Sequence, residues 1–280
     1  MEVNLQYAEA NLSDAERPIY NILKATLQYP THKLQAKSTK LANDIIFFCQ
    51  AEESVQGVDA TLWWVWIIII DIASCIPPGH LWQDSLIQAL DTVHRQDGRI
   101  SDDDENLVLL WQDLPNLIMC LREKWDDPTF TGEVLPEEFS QYRSRTSFYA
   151  GLKRAGLMPA LAFPIWDIRA ALEEPPPPNG SNAMDCRIWV ASEWIIQCAR
   201  LLFIDLGSSE ELDEAAARGL QTGPLCGDND KMAPLSVARW EFWMTRLSEI
   251  ASQVGSSGLT ITTAERISKA LEAMDAAEKV

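Results

Sequence analysis

The run from Leu62 to Ile76 constrains this chain more than any other segment. It carries three tryptophans, Trp63, Trp64 and Trp66, then four consecutive isoleucines from Ile67 to Ile70, and its only strongly polar side chains are Asp71 and Ser74. It ends at Pro77-Pro78, which gives it the length of a buried core helix and leaves it short of the ~20 apolar residues a bilayer span needs. Apolar around its whole circumference, it reads as a central helix enclosed by protein on nearly all sides, and no membrane insertion is expected.

Around that core, helical periodicity dominates and no alternating strand with hairpin punctuation stands out. The capping-box pattern Ser13-Asp14-Ala15-Glu16 precedes Ile19, Ile22, Leu23 and Leu27, with Pro18 somewhat deep for a helix start. Further helices are expected over about 35–53, 60–76, 81–96, 137–157, 164–174, 185–205 and 235–254, with a last one after the cap Thr262-Thr263-Ala264-Glu265. The acidic run Ser101 to Glu105 should lie at the N-terminus of a helix containing Leu107 to Trp111. Asp113 should cap another helix carrying Leu117, Ile118, Leu121 and Trp125, with Pro115 in its first turn. Residues 207–231 read as loop with an acidic helix inside.

About ten helices without strands predict an all-α fold, a compact multi-helix domain built as a bundle or an irregular stack of helix pairs. Residues 1–34 form an N-terminal helical segment and 35–280 the main domain. The Pro175 to Pro178 run and Asn179-Gly180 make an exposed linker at 175–180.

With 23 basic against 41 acidic residues, the formal net charge is −18. Such a field repels phosphate backbones and anionic headgroups, so nucleic acid and lipid surfaces are poor partners. The six cysteines are scattered, mostly in apolar helical contexts, and no pair has metal-knuckle spacing. With no export-signal pattern at Met1 to Ala10, they point to a reducing compartment, cytosol or nucleus. No phosphate loop, dinucleotide fingerprint or nucleophile elbow occurs, and His32, His80 and His94 lack ligand spacing, so no metal and no cofactor are expected. His80 reads as a capping or turn residue at a helix start.

Chemistry rests on indole rings placed beside charges. Trp64 and Asp71 are seven residues apart and share a helix face. If Asp71 is buried without a cationic partner, its pKa rises and it can donate a proton near neutrality; the alternative is pairing with an arginine or capping a neighbouring helix. Arg169 lies one turn beyond Trp166 and can meet Glu173. Arg239 shares a face with Trp243, while Trp240 joins Met244 and Leu247. Either arginine could neutralise Asp71, hold a ligand's oxygens, or be buried structurally against carboxylate and indole. Trp189, Glu193, Trp194 and Arg200 repeat the arrangement, and Trp111 completes the set of ligand-facing indoles.

The segments at 76–90 (IPPGHLWQDSLIQAL), 110–125 (LWQDLPNLIMCLREKW), 163–173 (FPIWDIRAALE), 187–202 and 236–250 (SVARWEFWMTRLSEI) resemble a large fungal family of unknown function. The resemblance spans most of the chain from about residue 35. Its most specific parts are Trp166-x-x-Arg169-x-Ala171-Leu172-Glu173 and Arg239-Trp240-Glu241-x-Trp243. It supplies no catalytic residue, and implies only a distant link to secondary metabolism.

Two functions are expected to compete. In the first, a cofactor-independent enzyme or binding protein takes a small hydrophobic metabolite. Asp71 then acts as the acid for cyclisation, isomerisation or epoxide rearrangement, and Trp64, Trp111, Trp166, Arg169, Trp240 and Arg239 form the ligand site. In the second, a non-catalytic helical module meets a basic protein partner through its acidic surface.

Overall fold

The computed structural model describes residues 3–10, 12–31, 33–52, 54–97, 99–101, 109–130, 134–178, 180–209, 211–227, 232–253 and 258–279. The described residues form twelve α-helices and one minimal strand pair, so the fold is all-α. The chain divides into two compact units, 1–126 with 140–158, and 127–139 with 159–280.

The first unit contains α1 (Gln6–Glu9), α2 (Arg17–Gln28), α3 (Leu34–Gln50), α4 (Val55–Cys75), α5 (Leu81–His94) and α6 (Leu117–Glu123). Most of α7 (Pro136–Arg154) belongs to it as well. Local chemistry sets the helix starts. Ser13 and Glu16 exchange backbone and side-chain bonds, the Ser13 N–H to Oε2 at 2.8 Å and the Glu16 N–H to Oγ at 3.3 Å. Pro18 falls in the first turn of α2, where its missing N–H costs nothing. The Ser54 Oγ accepts from Gly57 N–H at 3.1 Å and starts α4 earlier than its apolar run. The α2 face made by Ile19, Tyr20, Leu23 and Leu27 is buried. α3 packs most extensively on α5, and α1, α3 and α6 all lie against α4.

α4 is the central helix, but it is not enclosed all round. Leu62, Val65, Trp66, Ile69, Ile70, Ile72 and Ala73 are buried, whereas Trp64 is 38% exposed and Trp63, Ile67 and Asp71 are half-buried. Among the described residues one stretch, Gly57–Cys75, is long and apolar enough to cross a membrane, and 61% of it is buried inside the protein. The buried Trp66 indole N–H donates to the Pro115 carbonyl at 2.7 Å, tying α4 to the approach to α6.

The second unit holds α8 (Ala162–Leu172), α9 (Ser181–Leu206), α10 (Glu214–Gly219), α11 (Val237–Ser252) and α12 (Ile261–Glu278). α9 packs most extensively on α12 and then on α8, and α11 lies on α12 and α9. Thr260 caps α12 and donates from its backbone N–H and its hydroxyl to Asp185 Oδ1, at 2.7 and 3.0 Å, which anchors α12 to the start of α9. Buried Arg187 donates to Thr129 Oγ1 at 2.6 Å and to the Ala170 carbonyl at 3.1 Å, and its guanidinium lies 4.4 Å from the Phe130 ring centre.

Several local expectations are corrected. Leu109–Leu110 pairs antiparallel with Arg99–Ser101, and Trp111–Asp113 is a single 3-10 turn, so no helix runs through Leu109 to Trp111. Most of the acidic run, 102–105, lies outside the described residues. Asp113 does not cap α6. Leu114 and Asn116 both take positive φ, 42° and 65°, and this left-handed pair restarts the helix at Leu117 with Asn116 in the cap position. The last helix is capped by Thr260, two residues before the expected Thr262. The tetraproline run joins α8 to α9 within one unit, and its Pro177 is buried.

Candidate functional site

The sequence candidates separate into the two units. In the second, Glu173 and Arg239 form a fully buried ion pair, both side chains at 0% exposure. The Arg239 Nε donates to Glu173 Oε1 at 2.6 Å and its Nη2 to Oε2 at 3.0 Å. The remaining guanidinium hydrogens go to the carbonyls of Leu220, Pro234 and Gln221, at 2.6, 2.8 and 3.3 Å. That accounts for all five guanidinium donors. Glu173 is equally occupied. Its Oε1 also accepts from Trp243 Nε1 at 2.6 Å and its Oε2 from Gly223 N–H at 2.7 Å. The Arg239 guanidinium lies 5.5 Å from the Trp243 ring centre.

Gly223 belongs to this knot because of space. A Cβ there would stand 2.5 Å from the Glu173 carbonyl oxygen and 2.7 Å from its Cβ. The loop can therefore come within hydrogen-bond distance of the carboxylate only through a residue lacking a side chain. Burial, and then the Glu173 carboxylate, push the neighbouring Cys226 thiol up to about 11. With every donor and acceptor used, the knot holds the loop after α10 onto α8 and α11, and it has no valence left for a ligand.

Arg169 does not reach Glu173 as expected; it donates to Glu174 at 3.2 Å and to the Gln221 carbonyl at 3.3 Å. Trp166, half-buried, donates to the Gly219 carbonyl at 2.8 Å, and fully buried Trp240 donates to Glu278 at 2.9 Å. Trp189 lies 4.1 Å beneath the Arg266 guanidinium, which pairs with Glu193, and Arg200 donates to the Ala277 carbonyl at 2.8 Å. Trp194 donates to Asp167 at 2.7 Å.

In the first unit, Trp111 is buried in its 3-10 turn. Of the alternatives open for Asp71, the structure shows pairing, with a lysine and not an arginine: its Oδ2 accepts from the Lys124 ammonium at 2.7 Å. Neither Arg169 nor Arg239 neutralises it. Burial raises the Asp71 pKa against the opposing pull of Lys124 and Arg145, and its Oδ1 is buried without a hydrogen-bond partner.

Open space of ligand size lies elsewhere in that unit, at the corner where α2, α3 and α5 meet. One cleft of about 470 Å³ is lined by Ile22, Ala25, Thr26, Tyr29, Ala36 and Lys40 among others, and a second of about 420 Å³ by Leu27, Leu34, His80, Leu81, Trp82 and Ser85 among others. Tyr29, Thr31 and Lys37 line both, so the two form one groove. Tyr29 and Leu81, at 65% and 59% exposed, form its rim. None of the sequence-selected site residues lines either cleft.

Lys37 sets the electrostatics of the groove. It is 7% exposed and donates to the carbonyls of Leu27 and Tyr29, the latter at 3.2 Å, which satisfies the C-terminal end of α2. Its ammonium stands 5.6 Å from the Trp82 ring centre, and burial lowers its pKa. Among the described residues no carboxylate pairs with it. His80 caps α5 as expected, its Nδ1 accepting the Trp82 N–H at 3.2 Å, with the imidazole edge-on to the Trp82 ring at 5.4 Å. Burial, reinforced by the Lys37 charge, lowers the His80 pKa.

One sequence signal could have found this corner. Residues 17–43 hold Arg17, Lys24, Lys33, Lys37 and Lys40 and no acidic residue, in a chain of net charge −18. Lys24 and Lys40 are matched by Glu9 and Asp44, which leaves Lys37 as the buried cation without a counter-charge.

Comparison with known proteins gives one family. The model of a family described as a protein of unknown function, DUF3632, matches residues 66–247, a span that takes in Asp71, His80, Trp82 and the Glu173–Arg239 knot. No curated protein and no solved structure matches the chain.

Proposed function

We propose that this chain, which belongs to the DUF3632 family, is a binding protein for a small hydrophobic molecule held in the groove at the α2–α3–α5 corner. The observation that carries the reading is the joining of two apolar clefts through the shared walls Tyr29, Thr31 and Lys37. Each is within the range of volumes, ~300–1,000 Å³, in which proteins enclose small ligands, and each pairs apolar lining with a few fixed polar groups. Asp71 is left out of this role because it lines neither cleft.

The test is titration of a neutral, environment-sensitive apolar dye such as N-phenyl-1-naphthylamine into the folded protein. Saturable binding is expected, and Ala25→Trp, which fills the first cleft from its α2 wall, should abolish it at unchanged helix content. Equal dye binding by the wild type and Ala25→Trp would overturn the reading.

A further inference from the structure

Deepening that reading, and resting on it, we infer that the ligand of the groove is an amphipathic monocarboxylate, its carboxylate seated against Lys37 and its apolar body lying in the cleft walled by Ile22, Ala25 and Thr26.

A lysine ammonium has three donors; at Lys37 two go to the carbonyls of Leu27 and Tyr29, and the third has no partner among the described residues. Burying an ion without an opposite charge is expensive, and the two carbonyls and the Trp82 face compensate only part of that cost. The other groove lysine, Lys40, already has Asp44. An anion entering the groove would therefore meet the Lys37 ammonium, which no carboxylate among the described residues neutralises. His80 adds a second donor. Because its Nδ1 accepts from a backbone N–H, the neutral ring carries its hydrogen on Nε2, which has no partner among the described residues. One positive charge with two free N–H donors fits a carboxylate, which has two oxygens and a single negative charge. A phosphate dianion would carry twice the charge into a protein whose net charge of −18 already opposes anions.

The apolar half of the ligand follows from the walls. Ile22, Ala25 and the Tyr29 ring line the first cleft, and Leu27, Leu34, Leu81 and Trp82 the second. A chain or ring system of modest size, bonded to the carboxylate, would cover that surface and remove it from water. The source is taken to be a free, water-borne acid, because each cleft has the volume for one small molecule.

The experiment compares decanoate, decan-1-ol and decylammonium by calorimetric titration of the full chain, wild type and Lys37→Met, with Lys37→Gln as a second variant should the first fail to fold. The wild type is expected to bind decanoate about tenfold more tightly than decan-1-ol and decylammonium least, and the variant to bring acid and alcohol level. Equal binding of acid and alcohol by the wild type, or a decanoate preference that survives loss of Lys37, would overturn the carboxylate assignment while leaving the groove as a binding site. Failure of all three probes and of the neutral dye would remove the binding reading itself. Co-sedimentation with phosphatidylserine vesicles without binding of free decanoate would overturn the inference in favour of a lipid surface.

Discussion

Arg239 and Lys37 are both buried cations set against an indole face, the one 5.5 Å from Trp243 and the other 5.6 Å from Trp82, yet they do opposite work. Arg239 has a carboxylate and three carbonyls, and every hydrogen is used. Lys37 has two carbonyls, no carboxylate and a groove on one side. Burial of charge beside an aromatic ring is thus no guide to function by itself. What separates fastening from recognition is whether the local donors and acceptors already balance.

The sharpest way to break this contrast is to unbalance the closed site. Glu173→Gln leaves the Arg239 charge buried and uncompensated, and should cost about 3–5 kcal/mol, read as a fall in the urea midpoint. Replacing both partners, Glu173→Gln with Arg239→Met, should recover part of that loss, because no lone ion remains. Next in size, Gly223→Ala should destabilise by about 1–3 kcal/mol by pushing the loop off the Glu173 backbone, again seen in the denaturation midpoint. At the open site the same class of change should be gentler: Lys37→Met loses two bonds to carbonyls but also relieves a desolvated charge, for a net cost of about 1 kcal/mol. A Lys37→Met loss as large as that of Glu173→Gln would make the two sites equivalent and remove the distinction.

The smallest expected effect concerns Asp71, where the two influences nearly oppose. Its folded pKa is raised by burial, so the unfolded chain ionises first as pH rises, and the wild type loses stability relative to Asp71→Asn through that window. Below the ordinary carboxylate range the two proteins should melt alike; above the folded pKa the difference should be constant. A wild type that instead gained on Asp71→Asn with rising pH would mean that the Lys124 link outweighs desolvation.

Features encoded by neighbours in sequence were legible. Ser13 with Glu16, His80 as the cap of α5, and Pro18 in a first turn all follow from contacts within a few residues. The all-helical class followed from the same periodicity. Where backbone conformation departed from local preference, the reading failed: Leu114 and Asn116 in the left-handed region displaced the expected Asp113 cap. Long-range pairing failed differently. Glu173 had a nearby arginine in Arg169, but took one 66 residues away, Arg239, which also donates to the carbonyls of Leu220 and Pro234. Lys37 carried no motif at all, and its interest lies in the counter-charge it lacks. The polar α7 gave no sign that Tyr142, Ser144, Arg145, Thr146 and Ser147 would be buried; Arg145 does so by bonding the Asp126 carbonyl at 2.6 Å, and the Ser144 carbonyl accepts from Gln83 at 2.8 Å.

That helix has a further consequence for how the polypeptide is made. The first unit takes α7 from beyond a segment, 127–139, that belongs to the second, and Tyr149 of α7 reaches back to the Leu121 carbonyl at 2.8 Å. During vectorial synthesis the amino-terminal half must wait, with the Leu121 carbonyl lacking its Tyr149 donor and the Gln83 amide holding the Ile76 carbonyl but not that of Ser144, until the ribosome has released residue 154 or so. A gene fragment stopped at 126 should therefore yield a loosened, protease-sensitive product, whereas one extended to 158 would restore the missing helix.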